Sequence, residues 1–143
     1  MSPFRRLHVW AKAHELTLRV HRALPGSDHP QAAVGAQLRR AIAAIPATIA
    51  AGAGFGSQAR LARALEVAIA ASHAGLYQLL LARDLGLLAP SDYAMLEART
   101  REVQAKLVLL RRRVRQRIAG NAKRGGRAAS PPPAAESQAA VRR

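Results

Sequence analysis

The chain is 143 residues long, contains no cysteine, and sets 23 Lys and Arg against 8 Asp and Glu, a formal charge of +15. This length allows one domain with a real core; the absence of cysteine excludes disulfides, thiolate metal sites and cysteine catalysis, and makes a reducing cytoplasm the expected compartment. The cation excess points to a polyanionic partner, nucleic acid ahead of anionic membrane, although an Arg- and Ala-rich composition of the kind a GC-rich genome produces gives the same excess without any ligand.

Ala, Leu and Arg dominate, aromatic residues make up 3%, and β-branched residues form no alternating run, so an all-α protein is expected. The first helix is predicted from about Arg5 to Leu24, with Val9, Ala13, Leu16, Val20 and Leu24 at near-heptad spacing and Trp10 alongside. The apolar stretch between Arg6 and Lys12 is too short for the core of a secretory signal. After the break at Pro25 to Pro30, a second helix is predicted from near Gln31 to Gly52, carrying Val34, Leu38, Ile42, Ile45 and Ile49 on one face. Pro46 lies inside it and predicts a kink, because proline lacks a donor and crowds the carbonyl one turn earlier. The uncharged run from Ala41 to Ala59 is too rich in Pro, Gly and polar residues for a membrane span and reads as buried in a bundle.

Gly54-Phe55-Gly56 predicts the next connection and Ser57 the N-cap of a third helix. That helix carries Leu61, Leu65, Ala68, Ser72, Leu76 and Leu79 on one stripe and Ile69, His73 and Leu80 on the next, so two neighbours are expected to cover it. Gly86 predicts its stop. Ala89-Pro90-Ser91-Asp92 opens a fourth helix with Leu96, Thr100, Val103, Leu107, Leu110 and Val114 in steps of three and four. Short connections favour an antiparallel up-down-up-down four-helix bundle. Apolar periodicity ends at Gly120, which divides the chain into a bundle over 1–119 and a disordered, basic, Pro- and Ala-rich tail over 120–143.

No residue pattern supports catalysis. Adjacent helical residues point about 100° apart, so Ser72 and His73 make no nucleophile and base. His14 and His21, seven residues apart, stand about 10 Å apart along the axis and cannot share a metal without a third element. Gly52-Ala53-Gly54-Phe55-Gly56 follows a helix and lacks the Gly-Lys-Ser/Thr ending of a phosphate loop. No cofactor and no metal are expected. The basic segment is the stronger signal: Arg111, Arg112, Arg113, Arg115, Arg117, Lys123, Arg124 and Arg127 place eight cations within seventeen residues with no acid among them. Cations at a helix C-terminus gain a few tenths of a kcal/mol each from the helix dipole. The segment reads either as a phosphate-backbone contact or as a solvated face, and few aromatics are available for stacking on bases.

Three blocks in order resemble the four-helix bundle family of the ribosomal RNA intervening-sequence proteins and the accessory (Avd-like) proteins of diversity-generating retroelements. They are Trp10 with Lys12 to Leu16; Gly35 with Gln37, Leu38, Arg39, Arg40 and Ala41; and Ile45, Pro46, Ile49, Ala50 and Gly52. The resemblance spans roughly Phe4 to Ile118 and implies a bundle that assembles as a homo-pentamer. The chain departs from the family pattern at Thr48 and Ala51, where Asn and Glu are usual, at Phe55, where Arg is usual, and at Gly75 to Tyr77 in place of Glu-Leu-Glu. Joint loss of a buried ionic network is tolerable where loss of one partner is not. Together these readings predict a non-enzymatic, oligomeric, cytoplasmic protein that binds nucleic acid, RNA ahead of DNA, and no membrane. The expected contacts are Arg39 and Arg40 with the basic segment. The alternatives are an adaptor for a reverse transcriptase and a structural oligomer with no polyanion ligand.

Overall fold

The computed structural model describes residues 2–128, and it is a four-helix bundle. A 3-10 turn at Pro3–Arg6 leads into α1 (His8–Ala23), followed by α2 (Ala32–Gly54), α3 (Gln58–Asp84) and α4 (Pro90–Ala128). Leu7, in extended conformation, separates the turn from α1, so the first helix begins later than the sequence predicts. No strand occurs among the described residues.

The predicted faces form the core. Leu16, Val20, Leu38, Ile42, Ile45, Ile49, Leu65, Leu79, Leu96, Val103, Leu107 and Val114 are almost fully buried. Thr100 is buried as well and donates its hydroxyl to the Leu96 carbonyl at 2.7 Å, which satisfies it within its own helix. Along α3 the second predicted stripe is only partly covered: Ile69 packs against the core, but His73 is exposed and Leu80 is 37% exposed. A bundle of four helices gives α3 two close partners, α2 and α4, and neither reaches that far round it.

The helix ends follow local chemistry. Ser57 caps α3 by accepting from the Arg60 backbone N–H at 3.4 Å. Gly86, at φ +77°, lets the chain turn back so that the Leu87 N–H reaches the Ala82 carbonyl at 2.8 Å. Pro46 is buried inside α2, which runs on through it.

Two glycines fix how closely α2 and α3 approach. A Cβ built on Gly52 would collide with the Ala64 methyl, and one built on Gly75 would stand 2.6 Å from Ile42 Cδ1. Ile42 therefore fills the place of a side chain at position 75, where the family pattern leads one to expect Glu. Of the five positions that depart from that pattern, Gly75 alone is buried; Thr48 is half-buried, and Ala51, Phe55 and Tyr77 are exposed. The lost polar residues thus lie mainly on the outside of this chain, not in a network buried within it.

The fourth helix differs most from expectation. It does not end near Gly120 but continues to Ala128, while the rest of the expected tail, 129–143, lies outside the described residues. Gln58, at the start of α3, lies beside Gly120 and Asn121. The last eight residues of α4 therefore project beyond α3 by roughly 12 Å at 1.5 Å per residue. None of Asn121 to Gly126 is buried. Ala119, Ala122, Lys123 and Arg124 favour this extension while Gly120, Gly125 and Gly126 oppose it, so neither packing nor propensity accounts for its length.

Gly52→Ala should destabilise the bundle by about 1–3 kcal/mol, since the overpacking cost exceeds the roughly 1 kcal/mol gained in helix propensity. Gly75→Ala should be milder, because the end of Ile42 can turn aside whereas the Ala64 methyl cannot. Urea melts of both variants, and of Gly52→Ala combined with Ala64→Gly, check this; the double variant should recover most of the loss.

Candidate nucleic-acid interface

The antiparallel bundle has a basal end, where the chain enters and α4 leaves, and a far end, where α1 joins α2 and α3 joins α4. Charge is segregated between them. Toward the far end most acids sit beside an arginine: Glu15 with Arg19 at 2.9 Å, Glu97 with Arg101 at 3.0 Å, Asp84 with Arg83 at 2.9 Å, and Glu102 with Arg99 at 4.0 Å. The hydrogen bond from Arg19 holds Glu15 below the usual carboxylate range, and that from Arg101, followed by one from Tyr93, does the same for Glu97. These pairs neutralise the far half locally.

At the basal end Glu66 is the one acid among the described residues, and two arginines share it. Arg115 of α4 donates to one of its oxygens and Arg63 lies 3.3 Å from the other. The hydrogen bond from Arg115, then that from Arg63, lowers the Glu66 pKa from its ordinary 4.5. The same end of α4 also carries Arg112, Arg113, Arg117, Lys123 and Arg124, all exposed, and the half-buried Arg111. None of these six has a carboxylate partner among the described residues. They do not form one stripe, because helical geometry spreads consecutive cations round the axis. Arg113, Arg117 and Arg124 line an open cleft with Gln58, Gln116 and Asn121, while Arg111, Arg112 and Arg115 line another with Gln116 and Ala119. Arg127 lies in the last turn of α4.

Arg39 and Arg40 stand apart from this group, near the start of α2 at the far end. Arg39 donates to the Pro25 carbonyl at 2.9 Å, satisfying an acceptor left free where α1 ends, while Arg40 is exposed. The two halves of the predicted interface therefore lie at opposite ends of the bundle. Sequence inspection missed Arg5 and Arg6, which the 3-10 turn brings to the basal end, and Arg60 and Arg63 at the start of α3. Only the antiparallel topology could have added them. Arg60 stacks over the exposed Phe55 ring at 4.9 Å.

The residues weighed as catalytic or metal-binding have structural surroundings. Ser72 is buried, donates to the Ile69 carbonyl at 2.6 Å and accepts from Gln104 Nε2 at 2.9 Å, with His73 turned to solvent. His14 stacks on Trp10 with ring centroids 5.1 Å apart, and the Trp10 ring in turn meets Phe4 at 4.7 Å. His21 Nδ1 lies 2.9 Å from the Thr17 carbonyl. Among the described residues, no three His, Asp or Glu side chains gather as a metal site.

Glu66→Gln separates stability from binding. Because Glu66 has a depressed pKa when folded, its pairing stabilises the protein above the ordinary carboxylate range and is lost as pH falls through the folded pKa. The variant should therefore lose less stability between pH 7 and acid than the parent in thermal melts. It also frees two arginines for phosphates, so affinity for a polyanion should rise rather than fall in a low-salt titration.

The sequence profile of the 23S rRNA-intervening sequence protein family matches residues 5–108. No curated protein matches the chain. The match covers the end of the 3-10 turn, the first three helices and the first half of α4, and ends just before Arg111, so the basic end of α4 lies outside it. On this match, over most of a chain whose structure is a four-helix bundle, the protein belongs to the 23S rRNA-intervening sequence protein family.

Proposed function

We propose that this protein is a non-enzymatic, oligomeric nucleic-acid-binding protein whose contact surface is the basal end of the bundle and the projecting end of α4. The observation that carries the reading is the segregation of charge. Near the far end Arg19, Arg83, Arg99 and Arg101 each pair with an acid, leaving Arg22 and Arg40 as the exposed arginines without one. At the basal end Arg111, Arg112, Arg113, Arg117, Lys123 and Arg124 all lack a carboxylate partner among the described residues, and the one acid there is shared by two further arginines. Unpaired guanidinium and ammonium groups bind phosphates and release condensed counterions on doing so. Phe55, whose exposed ring lies under Arg60, is available at this end for stacking, but the cations far outnumber it, so recognition rests mainly on backbone charge and shape. The family's description favours RNA over DNA as the ligand.

Self-association is supported by the outer surface of α3. Sixteen residues of α3, 67–82, carry no charge, although the whole chain carries +15. Val67, Ala70, Ala74 and Tyr77, spaced three and four apart, all face outward, with Val67 45% and Tyr77 59% exposed. This helix is long and apolar enough to cross a membrane by length and composition, yet only 28% of its most apolar window is buried within one chain. A second copy covers this face in the proposed assembly, and the family resemblance implies a ring of five.

Two measurements test the reading. If about five phosphates are engaged per protomer, the slope of log affinity against log salt should be roughly −3.5 to −4.5; a flat salt response would overturn the nucleic-acid reading. Light scattering should show a multimer that Val67→Glu breaks down while far-UV circular dichroism stays helical. A parent protein that runs as a monomer at micromolar concentration would exclude self-association.

A further inference from the structure

Between the start of α1 and the second half of α4 runs a groove of about 370 Å³, within the roughly 300–1,000 Å³ of ligand pockets. Its floor is aliphatic: Leu7, Leu109 and Leu110. Its rim is cationic: Arg6, Lys106 and Arg113, with His8 beside them. None of these rim groups has a carboxylate partner among the described residues. Leu109 is 44% exposed, although its neighbours one turn away are Lys106, Arg112 and Arg113, and the core stripe of α4 passes through Leu107, Leu110 and Val114 without it.

A single exposed leucine is ordinary. This one continues into an apolar floor ringed by unmatched positive charge, a combination that neither the bundle core nor a phosphate backbone accounts for. Phosphates would satisfy the rim but leave the leucines in water. We propose that the groove is a docking site for an acidic, aliphatic segment of a protein partner, whose carboxylates pair with Arg6, Lys106 and Arg113 while an aliphatic side chain packs on Leu109 and Leu110. The argument for this occupant is complementarity of both charge and apolarity, and it goes beyond nucleic-acid binding because the leucine floor is the discriminating element. Carboxylate pairing at the rim gives orientation and a faster encounter, and burying the exposed leucine surface adds affinity that charge alone does not.

The test uses the full chain and a short fluorescein-labelled peptide of glutamates and leucines, with leucines at helical spacing, followed by fluorescence anisotropy. A control peptide replaces each leucine by glutamine at the same charge. The leucine peptide should bind at least about tenfold more tightly than the control, a difference of about 1.4 kcal/mol. Leu109→Gln, which alters no charge and removes a half-exposed side chain, should abolish that advantage while leaving affinity for an RNA hairpin unchanged. Equal binding of the two peptides, no binding of either, or indifference to Leu109→Gln would overturn the proposal. So would Leu109-dependent binding of anionic phosphatidylserine vesicles without binding of the peptide, which would assign the groove to a lipid surface. The hairpin titration fails or succeeds separately, so loss of the nucleic-acid reading is distinguishable from loss of this one.

Discussion

The close approach of α2 to α3 is the constraint on which the bundle depends. At Gly52 the backbone of α2 comes so near Ala64 that no side chain fits between them, and at Gly75 the backbone of α3 admits the end of Ile42. Helices usually pack 8–10 Å apart, and small residues at the crossing permit the short end of that range. This contact fixes the register in which Leu38, Ile42, Ile45 and Ile49 meet Leu65, Ala68 and Leu79. With α2 and α3 locked together, α1 and α4 close the core from the other side through Leu16, Val20, Leu96, Val103 and Leu107.

That geometry also decides where charge can go. The core has no place for an ion, and α2 contributes only Arg39 and Arg40 to the charged surface. The acids are carried by α1, α3, α4 and the connections, mostly away from the basal end, where local arginines neutralise them. The basal end receives the chain start, the first turns of α3 and the long end of α4, which bring arginines from three parts of the sequence to one place. Exposed ion pairs add little stability, so this partition matters for binding far more than for folding.

Much of the fold is legible in the sequence because the helix period and the breakers are strong signals here. Val9, Ala13, Leu16, Val20 and Leu24 read as one stripe and are buried as one, and Ser57 and Gly86 mark the bounds of α3 through capping and positive φ. The end of α4 was not legible, since the loss of apolar periodicity after Gly120, with Gly125 and Gly126 following, reads as a stop, whereas in the structure the helix continues from its packed part to Ala128. Likewise, Arg39 beside Arg40 looks like part of a basic face, but whether an arginine is free or bound to a carbonyl fourteen residues away is a tertiary matter.

The sequence by itself determined the number and character of the helices, the residues of the core and the excess of positive charge, because each follows from local periodicity and composition. Tertiary structure alone decided which charges are left without a partner. Glu66 meets Arg115 across forty-nine residues, Gly75 yields its side-chain space to Ile42, and Leu109 joins Leu7 in one groove, each through contacts between helices distant in the chain. Those pairings depend on register and rotation within the bundle, which the summed packing of the whole core selects and no single stretch of sequence encodes.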